Sequence, residues 1–142
     1  MFNKVIIHTD GGARGNPGPA GIGAVLKDET GLLVAEVSGY IGETTNNQAE
    51  YKAVIAALEQ AKSLGALEVA LFADSELVVK QLNKQYKVKH PELAPLYIKV
   101  YNLSQAFKKI TFTHVRREAN KEADALVNKA IDKYLAEHNK FF

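Results

Sequence analysis

KVIIHTDGGARGNPGPAGIGAVLKDETGLLVAEVSGYI, residues 4–41, is the stretch on which the fold turns. Its first six residues, Lys4–Thr9, are rich in β-branched side chains and almost continuously apolar, which marks a buried central strand rather than an edge strand. A glycine-rich run, DGGARGNPGPAGIG, follows. GIGAVLKD and LLVAEVSGYI then read as two more strands with the turn-like DETG between them. Three strands joined this closely predict an antiparallel meander.

Past residue 41 the pattern changes. TTNNQAEYKAVIAALEQAKSLG is dominated by good helix formers and stopped by Gly65, so it predicts a first helix. LEVALFA is a second buried strand, and DSELVVKQLNKQY a second helix. Pro91 and Pro95 break the chain before a third helix, Leu96 to Phe107. KITFTHV is the last strand and NKEADALVNKAIDKYLAEHN the last helix. The resulting order, β-β-β-α-β-α-α-β-α, predicts a mixed sheet with helices on its faces. Strands reached through helices run parallel to a neighbour, which applies to the one after Gly65 and the one after Lys109. No internal repeat, low-complexity tract or linker interrupts the chain, so one domain is expected over residues 1–138, with NKFF (139–142) as a short tail.

A length of 142 residues suits one domain, and such a domain buries roughly two-thirds of its unfolded surface without needing a metal or disulfide staple. There is no cysteine, which excludes a disulfide scaffold, a thiolate metal site and thiol catalysis. MFNKVIIHTD meets a carboxylate after a few apolar residues, so it is neither a signal segment nor a membrane span. A soluble cytoplasmic protein, with no membrane and no obligate protein partner, is the expectation. A net charge of +2 looks too neutral for a nucleic-acid binder until it is divided. From Lys80 to Arg117 nine basic residues face the single acid Glu92, a net +8 that leaves −6 for the remainder.

Four acids occupy positions that acids do not favour. Asp10 ends the first predicted strand at the edge where open α/β sheets bind ligands, although Asp-Gly is also ordinary turn chemistry. Glu50 shares a helix face with Ala53, Val54, Ala57 and Ala61, while Asn47-Gln-Ala-Glu50 has the spacing of a capping box. Asp74 sits between a strand and a helix, where taken alone it reads as a helix N-cap. Asp124, early in the last helix, borders an apolar stripe with Val127 and Ile131 on its side. Brought to one sheet edge, such carboxylates require cations, because like charges repel steeply at low dielectric. All-oxygen ligands favour Mg²⁺ or Mn²⁺ over zinc, and a pair of such ions suits in-line phosphodiester displacement. The four histidines, His8, His90, His114 and His138, show no ligand spacing.

The motifs around these acids resemble those of type 1 ribonuclease H, the family that cuts RNA in RNA–DNA hybrids. TDGGARGNPGPAGIGAVL carries Asp10, TTNNQAEYKAVIAAL carries Glu50, FADSELVVKQL carries Asp74 and HVRREANKEADALV carries Asp124. The likeness runs from Lys4 to Glu137. It implies an α/β fold of the ribonuclease H-like type, a five-stranded mixed sheet with three antiparallel strands and then two parallel, flanked by helices. It further implies two Mg²⁺ ions, replaceable by Mn²⁺, held by Asp10, Glu50, Asp74 and Asp124, with Asp10 bridging them. One ion would activate a water and the other stabilise the leaving ribose oxygen, giving 5′-phosphate and 3′-hydroxyl ends. Gly11, Gly12 and Ala13, with Asn16, Asn46 and Asn47, would grip the minor groove and sense the 2′-hydroxyl; read without the resemblance, the same residues are a tight loop and a helix cap.

Lys80, Lys84 and Lys87 fall at i, i+4 and i+7, one stripe of a helix that either tracks the DNA strand or is a solvated face. The chain also departs from many family members. Only YKVKHPEL stands where a longer basic protrusion is common, and Glu118 occupies the place of a mobile loop histidine, where it either assists metal exchange and product release or is an exposed acid without consequence. Glu76 replaces a common Gln. A non-catalytic nucleic-acid-binding module on the same fold is the alternative function.

Overall fold

A computed structural model describes residues 2–138; the expected tail, 139–142, lies outside them. The elements are β1 (Lys4–Ala13), β2 (Gly18–Lys27), β3 (Leu33–Thr44), α1 (Asn46–Ser63), β4 (Glu68–Ala73), α2 (Glu76–Leu82), α3 (Ala94–Ser104), β5 (Lys109–His114) and α4 (Lys121–His138), with a 3₁₀ turn at Arg117–Ala119. The five strands form one sheet in the order β3-β2-β1-β4-β5. β2 pairs antiparallel with β1 and β3, whereas β4 pairs parallel with β1 and β5. The predicted order and the mixed sheet are therefore observed.

Helices pack on both faces of the sheet, α4 over β1–β3 only. Neighbouring residues of a strand point to opposite faces; a β-carbon on Gly11 would meet α1, and one on Gly12 would point toward Val127 of α4. The core lies mainly on the α1 side, where Val54, Leu58 and Tyr51 pack with Val5, Ile7 and Leu71.

α1 begins at Thr45, whose hydroxyl accepts the Gln48 N–H at 3.2 Å in a Thr-x-x-Gln capping pattern. It ends where Gly65 takes φ +75°, and Ala66 donates back to Ala61 at 3.1 Å to close the last turn. Among the described residues no helix is long and apolar enough to cross a membrane.

Several boundaries differ from expectation. β1 does not stop at the glycines but runs through them to Ala13, with Asp10 in register opposite Gly23; Asp10 is ladder, not turn. α2 ends at Leu82, short of the predicted Tyr86, because the chain enters the left-handed region at Lys84 (φ +63°). Pro95 opens α3 rather than preceding it, since proline lacks only an N–H that the first turn leaves unpaired anyway. Phe107, placed at that helix's end by its sequence, is buried in the core beyond it.

Candidate active site

The parallel pairing of β1 with β4 ends at Thr9 opposite Ala73. Asp10 and Asp74 are the next residues on the two strands, so one register brings both carboxyls to the point where β4 leaves the sheet. β1 continues beside β2, which keeps Asp10 rigid. Helix packing supplies the other two acids. α1 rests on Gly11 so closely that a β-carbon there would lie 2.2 Å from the Ala49 carbonyl oxygen and 2.6 Å from the Glu50 nitrogen. α4 does the same on Gly23, where a β-carbon would lie 2.3 Å from the Ala123 carbonyl oxygen, immediately before Asp124. Two missing side chains thus deliver Glu50 and Asp124 beside Asp10.

Neither competing helix-cap reading holds. Ser75, not Asp74, caps α2, its hydroxyl accepting the Val78 N–H at 3.3 Å. Thr45 caps α1, so Asn47 and Glu50 form no capping box. The acids are left for another purpose.

Carboxylate oxygens of Asp10, Glu50 and Asp74 lie within 4.8 Å of one another. Asp124 stands outside that trio but lines the same cleft, of about 360 Å³, where it helps to raise the Asp10 carboxyl. Asp10 and Glu50 are 8% and 7% exposed. Burial, with added charge from Asp74 and Asp124, pushes the Asp10 carboxyl up to about 7 despite a hydrogen bond from Glu50 that works the other way. Burial and then the Asp10 charge raise Glu50 as well. One Glu50 oxygen, Oε2, is buried without a partner among the described residues. Crowded carboxyls, an orphaned buried oxygen and a purely oxygen donor set fit a hard divalent cation.

The loop residues frame this cleft. Gly11, Gly12, Ala13, Asn46 and Asn47 line it, and the Ala13 N–H donates to Asn46 Oδ1 at 2.8 Å. Asn46 in turn donates its backbone N–H to Asn16 Oδ1 at 3.0 Å, tying the exposed loop to the start of α1. Asn46 does not cap α1; it holds the loop.

The lysines do not form one helical stripe. Lys80 lies on α2, paired with Glu76 at 2.8 Å and close to the Tyr86 hydroxyl. Lys84 falls past the helix end, its ammonium 5.6 Å from the centre of the Tyr101 ring, and Lys87 lies in the following loop. Of the three, only Lys87 connects to the acids: Asn46 and Asn47 also line a hollow with His90, and His90 also lines a larger one, about 620 Å³, with Tyr86, Lys87 and Lys89, whereas Lys84 lines a separate hollow with Tyr97 and Tyr101.

Glu118 sits in the 3₁₀ turn and lines a separate hollow with His8, Lys27 and Lys121, while its neighbour Arg117 faces the acid cleft. His8 stacks on Phe72, and burial lowers its pKa. Sequence reasoning missed Arg117 as a cleft residue and Asn120 altogether. The signal for Arg117 was present, as the last charge of the basic segment; Asn120 read only as the first residue of the last helix, which in fact begins at Lys121.

A family model described as Reverse transcriptase-like matches residues 8–130. The bifunctional protein Rv2228c of Mycobacterium tuberculosis is 48% identical over 130 residues, 91% of this chain and 36% of that protein, so the chain spans about a third of that relative. A ribonuclease H of Ruthia magnifica is 38% identical over 146 residues, 93% of this chain and 98% of that one. The structure of LC11-RNase H1 in complex with an RNA/DNA hybrid matches with a TM-score of 0.88 and 51% identity, covering 92% of this chain and 99% of the other. Carrying the five-stranded mixed sheet, the clustered acids and these likenesses, the chain belongs to the reverse transcriptase-like, ribonuclease H family.

Proposed function

We propose that this chain is a cytoplasmic endonuclease that hydrolyses the RNA strand of RNA–DNA hybrids with divalent metal, residues 1–138 forming its catalytic domain. The carrying observation is the convergence of Asp10, Glu50 and Asp74 within 4.8 Å, with Asp124 lining the same cleft. The relatives named ribonuclease H, and the hybrid bound to LC11-RNase H1, support the choice of substrate.

Asp10, Glu50, Asp74 and Asp124 would hold two Mg²⁺ ions, or Mn²⁺ in their place. Bound there, the ions supply Lewis-acid charge that makes a water nucleophilic and stabilises the departing ribose oxygen, the chemistry that leaves 5′-phosphate and 3′-hydroxyl ends. The protein's own part is to hold four carboxyls at a separation that water alone would not tolerate, using the close seats at Gly11 and Gly23. Gly11, Gly12 and Ala13, with Asn16, Asn46 and Asn47, present backbone and amide groups that donate and accept, as recognition of a 2′-hydroxyl requires. Lys80, Lys84 and Lys87 neutralise phosphates, Lys87 from the hollow that shares His90 with the loop. Glu118, outside the acid cleft, serves release rather than chemistry.

Incubation of a labelled hybrid with Mg²⁺ and either the protein or Asp10→Asn tests the reading. Cleavage by the first alone is expected; equal cleavage by both would overturn it. Tight binding without turnover in Mg²⁺ or Mn²⁺ would instead make the chain a binding module.

A further inference from the structure

Asn120 occupies the position just before α4 and is 1% exposed. An Asn there ordinarily turns its side-chain oxygen onto a backbone N–H of the helix's first turn. Only the backbone half of that arrangement is present, the Asn120 carbonyl accepting the Asp124 N–H at 3.1 Å. The side chain is diverted: Nδ2 donates to the Thr9 carbonyl at 2.8 Å, across 111 residues of chain. A carbonyl can only accept, so Thr9 fixes which end of the amide faces it. Oδ1 is then buried without a partner among the described residues, as is the Thr9 hydroxyl. Helix capping would have used that oxygen; the side chain serves the tie to β1 instead.

The place of the tie is specific. Thr9 is the residue before Asp10, and it is the last to pair with β4. A second attachment of the α4 start, Ala123 over Gly23, falls on the residue opposite Asp10 in the β1–β2 ladder, beside an ion pair of Glu122 with Lys27 at 2.9 Å. Two anchors of α4, at Thr9 and at Gly23, therefore land on immediate neighbours of Asp10, and Asp124 projects from the turn they hold.

We propose that Asn120 is a positioning residue: by clamping the start of α4 to β1 at Thr9, it sets the Asp124 carboxyl against Asp10 and so completes the acid cluster. The inference rests on the metal-dependent reading of that cluster. It assigns a role to a side chain that touches neither the cleft nor the substrate-facing loop.

The test is a double-mutant cycle of Asn120→Ala with Asp124→Asn, read by hybrid cleavage and, independently, by calorimetric titration with Mg²⁺ alone. Displacement of one carboxyl should lower kcat of Asn120→Ala by about ten- to a hundredfold, with KM for the hybrid changed by less than about threefold. Mg²⁺ affinity should weaken as well. In the Asp124→Asn background, Asn120→Ala should add almost nothing to either loss, since residues acting as a unit are not additive. Asn120→Ser restores a capping hydroxyl that cannot reach Thr9, so it should regain stability without regaining turnover. Full turnover in Asn120→Ala, equal losses in both backgrounds, or recovery of activity by Asn120→Ser would each overturn the proposal. If the unmutated protein fails to cleave hybrid, the enzymatic reading fails, and the Mg²⁺ titrations still decide the role of Asn120.

Discussion

Gly11 of β1 lies directly beneath Ala49 of α1, with room for a hydrogen but not for a β-carbon, which would stand 2.2 Å from the Ala49 carbonyl oxygen. Backbone cannot yield as a side chain can, so Gly11→Ala must lift the first turn of α1 and move Glu50 with it. A loss of about 1–3 kcal/mol or more is expected from such overpacking. Gly12→Ala is the internal control, because its nearest neighbour would be 3.9 Å away. Urea unfolding of the two variants should separate them clearly, and equal stabilities would show that the close seat is not rigid.

Gly23 plays the same part for α4, where Ala123 stands 2.3 Å from the position of an added β-carbon. Gly23→Ala should therefore weaken Mg²⁺ binding as well as the fold, since Asp124 follows Ala123. Calorimetric titration checks this, and an unaltered Mg²⁺ affinity in a folded Gly23→Ala protein would contradict it.

Crowding of the acids makes a prediction about pH. Asp10 rises from the usual 3.8 to about 7 on folding, through burial first and acidic neighbours second. Across that window the folded protein keeps the proton while the unfolded chain has released it, so stability falls as pH rises and the loss is complete above about 7. Metal-free Asp10→Asn should accordingly be more stable than the unmutated protein at pH 8, by roughly 1–3 kcal/mol, and the advantage should shrink toward pH 4. Mg²⁺ should raise Tm of the unmutated protein and leave that of Asp10→Asn nearly unchanged, because only the former pays for crowded charge. Thermal melts with and without Mg²⁺ decide both points.

These arrangements explain which parts of the molecule its sequence reveals. Strand and helix order follows from periodicity and breakers, which are local, and so the sheet was legible. Asp10 and Asp74 were legible as strand-edge acids because one parallel register places both. That β1 continues through DGGA was not, since glycine weakens an isolated strand; here it is required by helices packed on both faces, a non-local cause. The lysine stripe failed for a local reason, a backbone reversal at Lys84 that no helical wheel displays. Asn120 was invisible because its partner, Thr9, is 111 residues away.

Arg117 and Glu118 are adjacent yet line different hollows, the first with the acids and the second with His8 and Lys27. Arg117→Ala should weaken hybrid binding and lower the salt slope by about 0.7–0.9, the loss of one phosphate contact. Glu118→Gln should leave the single-turnover rate unaltered and affect only steady-state turnover. A slower single turnover in Glu118→Gln would place that acid in the chemistry after all.

Lys84 closes α2 as Gly65 closes α1. In both, the residue after the cap is left-handed, φ +63° and +75°, and the following N–H reaches back to an earlier carbonyl, Gln85 to Lys80 at 2.8 Å and Ala66 to Ala61 at 3.1 Å. Glycine accepts this conformation freely, whereas an L side chain is strained there by roughly 1–2 kcal/mol. Lysine at such a position keeps a charge, held over Tyr101, at a cost in stability. Comparing Lys84→Gly with Lys84→Ala isolates that cost, because both remove the charge and only the first relieves the backbone. The glycine variant should be the more stable by about 1 kcal/mol, after allowance for its freer unfolded chain. Both should lower the salt slope of hybrid binding equally, by about 0.7–0.9. Equal stabilities would remove the strain, and an unchanged slope would return Lys84 to a solvated face that touches no phosphate.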